Sequence, residues 1–448
     1  MFFRFIPAMA LLIVLPFATV PIAAFGQESS TPLNTASRYV DPAQGASSND
    51  LIRRALTSNA EFAAARLDIE RARARVHQAG LRPNPTIDFE QATGKFTGSA
   101  GERETSIGFA LPLELNGQRQ KRISLARVEF EAAEAEIADR ERRLIAEVRS
   151  AYAESLAAAR ELEITEGLNN LDIQTARIVE ARVTEGESAP IELNLLRAEV
   201  DRLKSRRALV EGKLQALLLR LKFLAGVPAD EPLRLREDLI APVFDQTPAS
   251  LEAALSVALR MRPDLRLARL NEKVSEAGLE LTRAQGRPDV TAFTRFTANR
   301  SVFDDTPIGV LRDKDKTFSF GVSISIPLFN RNQGAKAEAA TAIAQAQRRR
   351  EFAEQLVRSE VMSAYARYEA ARAALALFER GVLARSSQNI KSIREAYELG
   401  AFRMTELLSE QRRLLDSQRE YIEALTERYK ASADLLSAIG ASIDSGAK

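Results

Sequence analysis

Two stretches of the chain alternate strictly between apolar and small or polar residues. In one, Phe318, Phe320, Val322, Ile324 and Ile326 interleave with Thr317, Ser319, Gly321, Ser323 and Ser325; in the other, Ile107, Phe109, Leu111 and Leu113 interleave with Ser106, Gly108 and Ala110. A period of two sends the two sets to opposite faces of a strand. Segments near Thr86 to Phe96 and Val290 to Ser301 alternate less cleanly but have similar length, giving four expected strands within 86–115 and 289–328. An ordinary half-buried strand alternates in the same way, so the pattern alone does not say what the apolar face meets.

Elsewhere apolar and small residues recur at three and four. Leu144, Val148, Ala151, Ser155, Ala158 and Leu162 mark a narrow stripe with small knobs, the pattern of closely packed coiled-coil helices. As helices, Asn116–Glu185 and Asn330–Leu399 would each span about 70 residues and rise about 105 Å.

These patterns occur twice. Leu81-Arg82-Pro83 is echoed by Gly286-Arg287-Pro288, Leu111-Pro112-Leu113 by Ile326-Pro327-Leu328, and Glu185-Gly186 by Leu399-Gly400. Ile191-Glu192-Leu193 answers Thr405-Glu406-Leu407, and Leu224-Ala225-Gly226 answers Ala438-Ile439-Gly440. Five landmarks in one order, offset by roughly 205–215 residues, indicate an internal duplication. Each copy predicts a helix of about 30 residues (near Asp50 to Gly80, and Ser250 to Gly286) that stops at an Arg-Pro signal, because proline disfavours helical geometry in the residue before it. Two strands follow, then the long helix, a glycine interruption, and a helix of about 36 residues. The two shorter helices of a copy sum to nearly the length of the long one and can stack end to end against it. The expected organisation is a first repeat at 50–226, a Pro-rich linker at 227–249, a second repeat at 250–440 and a tail at 441–448.

Residues 1–26 hold one positive residue, Arg4, then an apolar run and small residues around Ala23, Ala24 and Gly26, the layout of a secretory signal peptide; 27–49 follow as an extended segment. The apolar run is short and broken by Pro7 and Pro16, which disfavours an uncleaved anchor. The chain has no cysteine, which excludes a disulfide framework, thiolate catalysis and lipid attachment at a new N-terminal cysteine. With 63 Lys+Arg against 61 Asp+Glu there is no general attraction to nucleic acid, and the interleaved signs suit long solvated helices. No stretch approaches 18 uncharged apolar residues, so any membrane span must use strands. Four strands of about 10 residues match the 9–11 of a transmembrane barrel. Four cannot close one, and unpaired backbone edges in lipid cost several kcal/mol each. The chain must therefore share a barrel with copies of itself, as a dimer of 8 strands or a trimer of 12, continued by a helical cylinder about 100 Å long.

In this order of elements the sequence resembles the TolC family of outer-membrane efflux channels, and within it the CzcC/CusC-type members that serve heavy-metal resistance pumps. The resemblance runs from about Asp50 to Gly440. Its most specific segments are Leu111-Pro112-Leu113-Glu114-Leu115-Asn116-Gly117-Gln118-Arg119 and Ile326-Pro327-Leu328-Phe329-Asn330-Arg331-Asn332-Gln333-Gly334, similar to the turns by which metal-type members leave the barrel. It implies an α+β membrane protein: a homotrimer with a 12-stranded β-barrel in outer-membrane lipid and an α-helical tunnel in the periplasm. It further implies cargo received from an inner-membrane pump of the resistance–nodulation–division (RND) type through a periplasmic adaptor.

The interruptions resemble the family's helix–turn–helix tips. Any helical hairpin needs such a turn, with glycine for left-handed geometry and a proline such as Pro190 to start the next helix. The resemblance implies adaptor contact by Gly186, Glu187, Ser188, Ala189 and Pro190, and by Gly400, Ala401, Phe402, Arg403 and Met404. It also implies a periplasmic gate formed by Glu192, Glu406 and the aromatic Tyr397, where three copies of Glu406 would ring a narrow bore and favour cations. Phe402 stands at the family's tip arginine position, with Arg403 beside it. Ser409 stands at a second acidic ring position, followed by Glu410. The family's closing salt bridge is thus not carried over intact.

His77 is alone in a charged helix, and no Ser/His/Asp set or Gly-rich phosphate loop accompanies it, so no enzyme is expected. A periplasmic coiled-coil adaptor is the alternative of similar composition, but it would normally carry one hairpin where this chain carries two. One His, no Cys and five Met leave little soft-ligand chemistry, so metal is expected to pass without a tight site or bound cofactor. Drugs or other small solutes remain alternative cargo.

Overall fold

The computed structural model describes residues 38–96, 101–236, 239, 248–303, 309 and 311–440. The expected signal peptide, most of the segment after it, the centre of the linker and the tail lie outside the described residues.

Both copies follow the same order of elements, the first with one extra break and the second with two. The first runs α1 (Ser48–Ser58), α2 (Ala60–Ala79), β1 (Thr86–Thr93), β2 (Arg103–Leu113), α3 (Gln118–Thr184) and α4 (Pro190–Ala225). The second runs α5 (Leu251–Met261), α6 (Pro263–Gln285), β3 (Asp289–Phe303), β4 (Leu311–Ser325), α7 (Gln333–Leu377), α8 (Leu383–Glu398) and α9 (Met404–Ile439). The 67-residue α3 rises about 100 Å. Its counterpart is not continuous: a kink within Phe378–Val382, where Gly381 leaves helical geometry at φ 164°, separates α7 from α8. The helices expected as single rods before each strand pair are also split, at Asn59 and at Arg262.

Those two splits splice helices end to end. The Asn59 side chain accepts from the Phe62 N–H at 2.8 Å, capping α2, and donates to the Leu224 carbonyl at 3.0 Å, at the end of α4. In the second copy buried Arg262 donates to the Ala438 carbonyl at 3.3 Å, near the end of α9, while Pro263 opens α6. Each splice satisfies polar groups that a helix end leaves without partners. The fit is close: a Cβ built on Gly226, at φ 65°, would meet the Ser58 backbone at 2.5 Å.

The four strands form one antiparallel meander in the order β1-β2-β3-β4. Each of α2, α3, α6 and α7 continues its own strand, so the helical wall repeats the order of the sheet. Farther from the sheet α4 succeeds α2 and α9 succeeds α6. Two pseudo-equivalent cores sit where the splices occur. One gathers α1, α3 and α4 around Tyr152, Leu162 and Leu214 and includes Leu235 of the linker; the other gathers α5, α7 and α9 around Val357, Val361 and Leu435.

The register puts Phe89, Ile107, Phe296 and Phe318 in one cross-strand row and Ile87, Phe109, Thr294 and Phe320 in the next. This apolar face is exposed, with Phe320 at 80% and Ile87 at 75%. The opposite face carries Asp88, Glu90, Ser106, Arg295 and Ser319; Arg295 bonds Ser106 at 3.3 Å and faces Glu90 at 3.5 Å. Asn116 donates to the Pro288 carbonyl at 2.7 Å, tying the exit of β2 to the start of β3. Among the described residues, no helix is long and apolar enough to cross a membrane.

Candidate functional site

The end of the helices remote from the sheet consists of two turns. Gly186 (φ 82°) and Gly400 (φ 74°) terminate α3 and α8 in left-handed geometry. The Glu187 N–H bonds the Arg182 carbonyl and the Ala401 N–H the Ala396 carbonyl, both at 2.8 Å, closing the helix ends in the same way. Gly186, Glu187, Ala189, Pro190, Gly400, Ala401, Phe402 and Arg403 are exposed, and Ser188 is half-buried.

Met404 stands apart from the others. It is 1% exposed, packed with Val179, Leu193, Leu196, Ile390, Leu407 and Leu408 in a cluster that joins the α3–α4 hairpin to the α8–α9 hairpin. An apolar first residue of α9 points into the seam, so Met404 holds the tips together and is not part of their outer surface.

The candidate gate residues occupy different environments. Glu406 is exposed, and its carboxylate accepts from the Arg403 N–H at 2.8 Å, capping its own helix. Tyr397 donates to Glu192 at 3.4 Å and so bridges α8 to α4. Burial, reinforced by the Glu192 charge, raises the Tyr397 phenol above its ordinary range, so it stays a donor. Glu410 is buried on α9 and faces Arg413 at 3.4 Å. The structure thus joins Tyr397 to Glu192 and gives Glu406 and Glu410 their own separate partners.

About 20 Å inward from the tip lies a buried polar layer between the hairpins, absent from the sequence reading. Its centre is Asp172, 1% exposed on α3. Burial, with the nearby Glu199 charge, pushes its carboxyl up to about 6 against a hydrogen bond from Gln411 and the charges of Arg394 and Arg202. Asp172 Oδ1 and Gln411 Oε1 have no hydrogen-bond partner, and both are acceptors. A proton on Asp172 turns one acceptor into a donor. Glu199 is buried beside it, yet hydrogen bonds from Arg202 and Arg412 (the latter at 2.9 Å) hold its carboxyl below the usual range. The signal was present in the sequence: carried past Leu162, the three-and-four stripe runs through Thr165, Asn169 and Asp172 before returning to Ala176, Val179 and Val183. His77 is exposed in the last turn of α2. Among the described residues, no group of three or more His, Cys, Asp or Glu side chains is placed to hold a metal ion.

Known proteins share this architecture. A crystal structure of CusC matches with a TM-score of 0.73 at 22% identity, over 88% of this chain and 92% of that one. A membrane protein from Pseudomonas aeruginosa also gives 0.73, at 20% identity over 90% and 94%. The open state of the Neisseria gonorrhoeae MtrE outer membrane channel gives 0.70 at 20% identity over 88% of both chains. No curated protein sequence matches. The family model for outer membrane efflux protein matches residues 51–227 and 254–441, the two copies of the duplication. The chain therefore belongs to the outer membrane efflux protein family.

Proposed function

We propose that the chain is the outer-membrane exit duct of a tripartite RND-type efflux system, conducting divalent heavy-metal cations passively from pump and adaptor to the outside. The observation that carries the duct is the sheet. It is a four-stranded meander with no further strand on its β1 or β4 edge among the described residues, with an exposed apolar face and a polar face opposite. Lipid tolerates such a sheet only when copies of the chain close it. A homotrimer gives 12 strands, a polar lumen and three sets of tips around one bore. Exposed apolar side chains at both edges of the helical wall fit the same assembly: Leu67, Leu209 and Phe223 on one, Phe352, Met362 and Leu377 on the other.

The tips then face the adaptor through Gly186 to Pro190 and Gly400 to Arg403. Glu406, Glu192, Tyr397 and Glu410 form the periplasmic gate, with Tyr397–Glu192 linking the two hairpins of each subunit. No lipid anchor is needed, since the barrel holds the protein in the membrane. The metal cargo rests on the CusC-like sequence segments and on the negative ring that Glu406 would form. Deleting the chain from its native host tests the cargo: sensitivity to zinc, cobalt or copper salts with unchanged sensitivity to dyes is the expected result. The reverse pattern would assign drugs or other solutes.

A further inference from the structure

Beyond the aromatic row, the exposed apolar face of the sheet turns cationic. The register aligns Arg103 with Arg300 and Arg300 with Lys314, three cations side by side across β2, β3 and β4. Lys316 pairs with Ala298 one row nearer the aromatics, and Arg312 with Val302 one row farther out. Pairing partners share a face, so all five cations lie on the face of Phe89, Ile107, Phe296 and Phe318. The acids of the same rim, Glu104, Asp313 and Asp315, occupy the opposite face. All five cations are exposed, and among the described residues none forms an ion pair; Arg103 faces the side-chain amide of Gln91.

Like charges directly opposite one another on a sheet are destabilising, and Arg103–Arg300–Lys314 repeats that arrangement twice in one row. Ordinary solubility does not require it, since the acids to neutralise the row stand one residue away on the other face. Position supplies the reason. The strand pairs turn at this rim, opposite the end where all four strands join helices. In the proposed membrane orientation it is the outer rim, where lipid tails give way to headgroups.

We infer that Arg103, Arg300 and Lys314, flanked by Lys316 and Arg312, bind the phosphates of a multiply phosphorylated glycolipid in the outer leaflet. Arginine forks take phosphate oxygens in pairs, and three adjoining cations match a headgroup with more than one phosphate better than a single-phosphate lipid. The site rests on the barrel reading above and gives it a lipid preference.

The test uses the full chain purified in detergent, with native mass spectrometry counting retained bisphosphorylated lipid A, monophosphorylated lipid A, phosphatidylglycerol and inorganic phosphate. The variant is R103Q/R300Q/K314Q. The expected result is preferential retention of the bisphosphorylated lipid, weakened about tenfold or more in the variant and in the monophosphorylated arm. Conductance in phosphatidylcholine bilayers should be the same for both proteins. Equal retention by wild type and variant, with both conducting, overturns the headgroup site alone. Equal retention of phosphatidylglycerol or free phosphate overturns its preference for several phosphates on a lipid. A wild-type chain that conducts in no bilayer overturns the barrel reading, and the site with it.

Discussion

The Glu406 carboxylate caps α9 through the Arg403 N–H, so removing the side chain changes more than a charge. Glu406→Gln keeps an acceptor for the cap and deletes only the charge; it should weaken cation preference in planar-bilayer recordings with little change in stability. Glu406→Ala should do both, at about 1 kcal/mol for the lost cap. Unchanged ion selectivity in both variants would remove Glu406 from the gate. Asp172 is a second residue with a separable role. Its carboxyl, pushed up to about 6 in the folded chain, lies near 3.8 as its ordinary value. Between those values the folded state holds a proton that the unfolded state has released, so stability rises as pH falls from about 7 to about 4. Asp172→Asn should raise the unfolding temperature at pH 7.5 and flatten this dependence, by an amount on the order of 2 kcal/mol. Parallel pH profiles for wild type and variant, read by thermal unfolding, would contradict it. Asp172 was legible only as a polar intrusion in a stripe, and the stripe cannot say whether such a residue meets water or a second hairpin. Met404 misled for a related reason: a residue next to a tip glycine reads as surface, but the seam between hairpins begins one residue later.

At the scale of elements, duplication made the strands, tips and long helices readable, because each landmark had a partner at a fixed offset. The splices were not readable in that way. Asn59 and Arg262 occupy matching places but solve the junction with different chemistry, one by capping and one by charge, so comparing the copies hides the break. The difference has a measurable consequence. Asn59→Ala should cost about 1–2 kcal/mol through the lost cap. Arg262→Ala should cost more, about 3 kcal/mol, because Arg262 is buried and bridges Asp264 at 2.5 Å and Glu360 at 2.6 Å, leaving both carboxylates without it. Urea unfolding of the purified chain orders the two; equal losses would deny the ion-paired splice. The kink at Phe378–Val382 likewise has no counterpart in α3, where the first copy runs unbroken through the same position. Phe378 sits 6.2 Å from Tyr421 of α9 at that point.

For the whole molecule, the sheet is where sequence pattern and assembly meet. Alternation identified two faces, composition required strands if a membrane is crossed at all, and the meander leaves two edges that one chain cannot satisfy. Subunit number is not written in one chain, because the edges specify only that another copy pairs with them. The outer membrane efflux protein family supplies the architectural context, and the proposed trimer supplies 12 strands and a bore. The most direct measurement of the central claim joins mass and conduction: light scattering of the mature protein in detergent, followed by planar-bilayer recording of the same peak. The account predicts a particle of three chains that opens cation-preferring channels. A monodisperse monomer that inserts into no bilayer would contradict it.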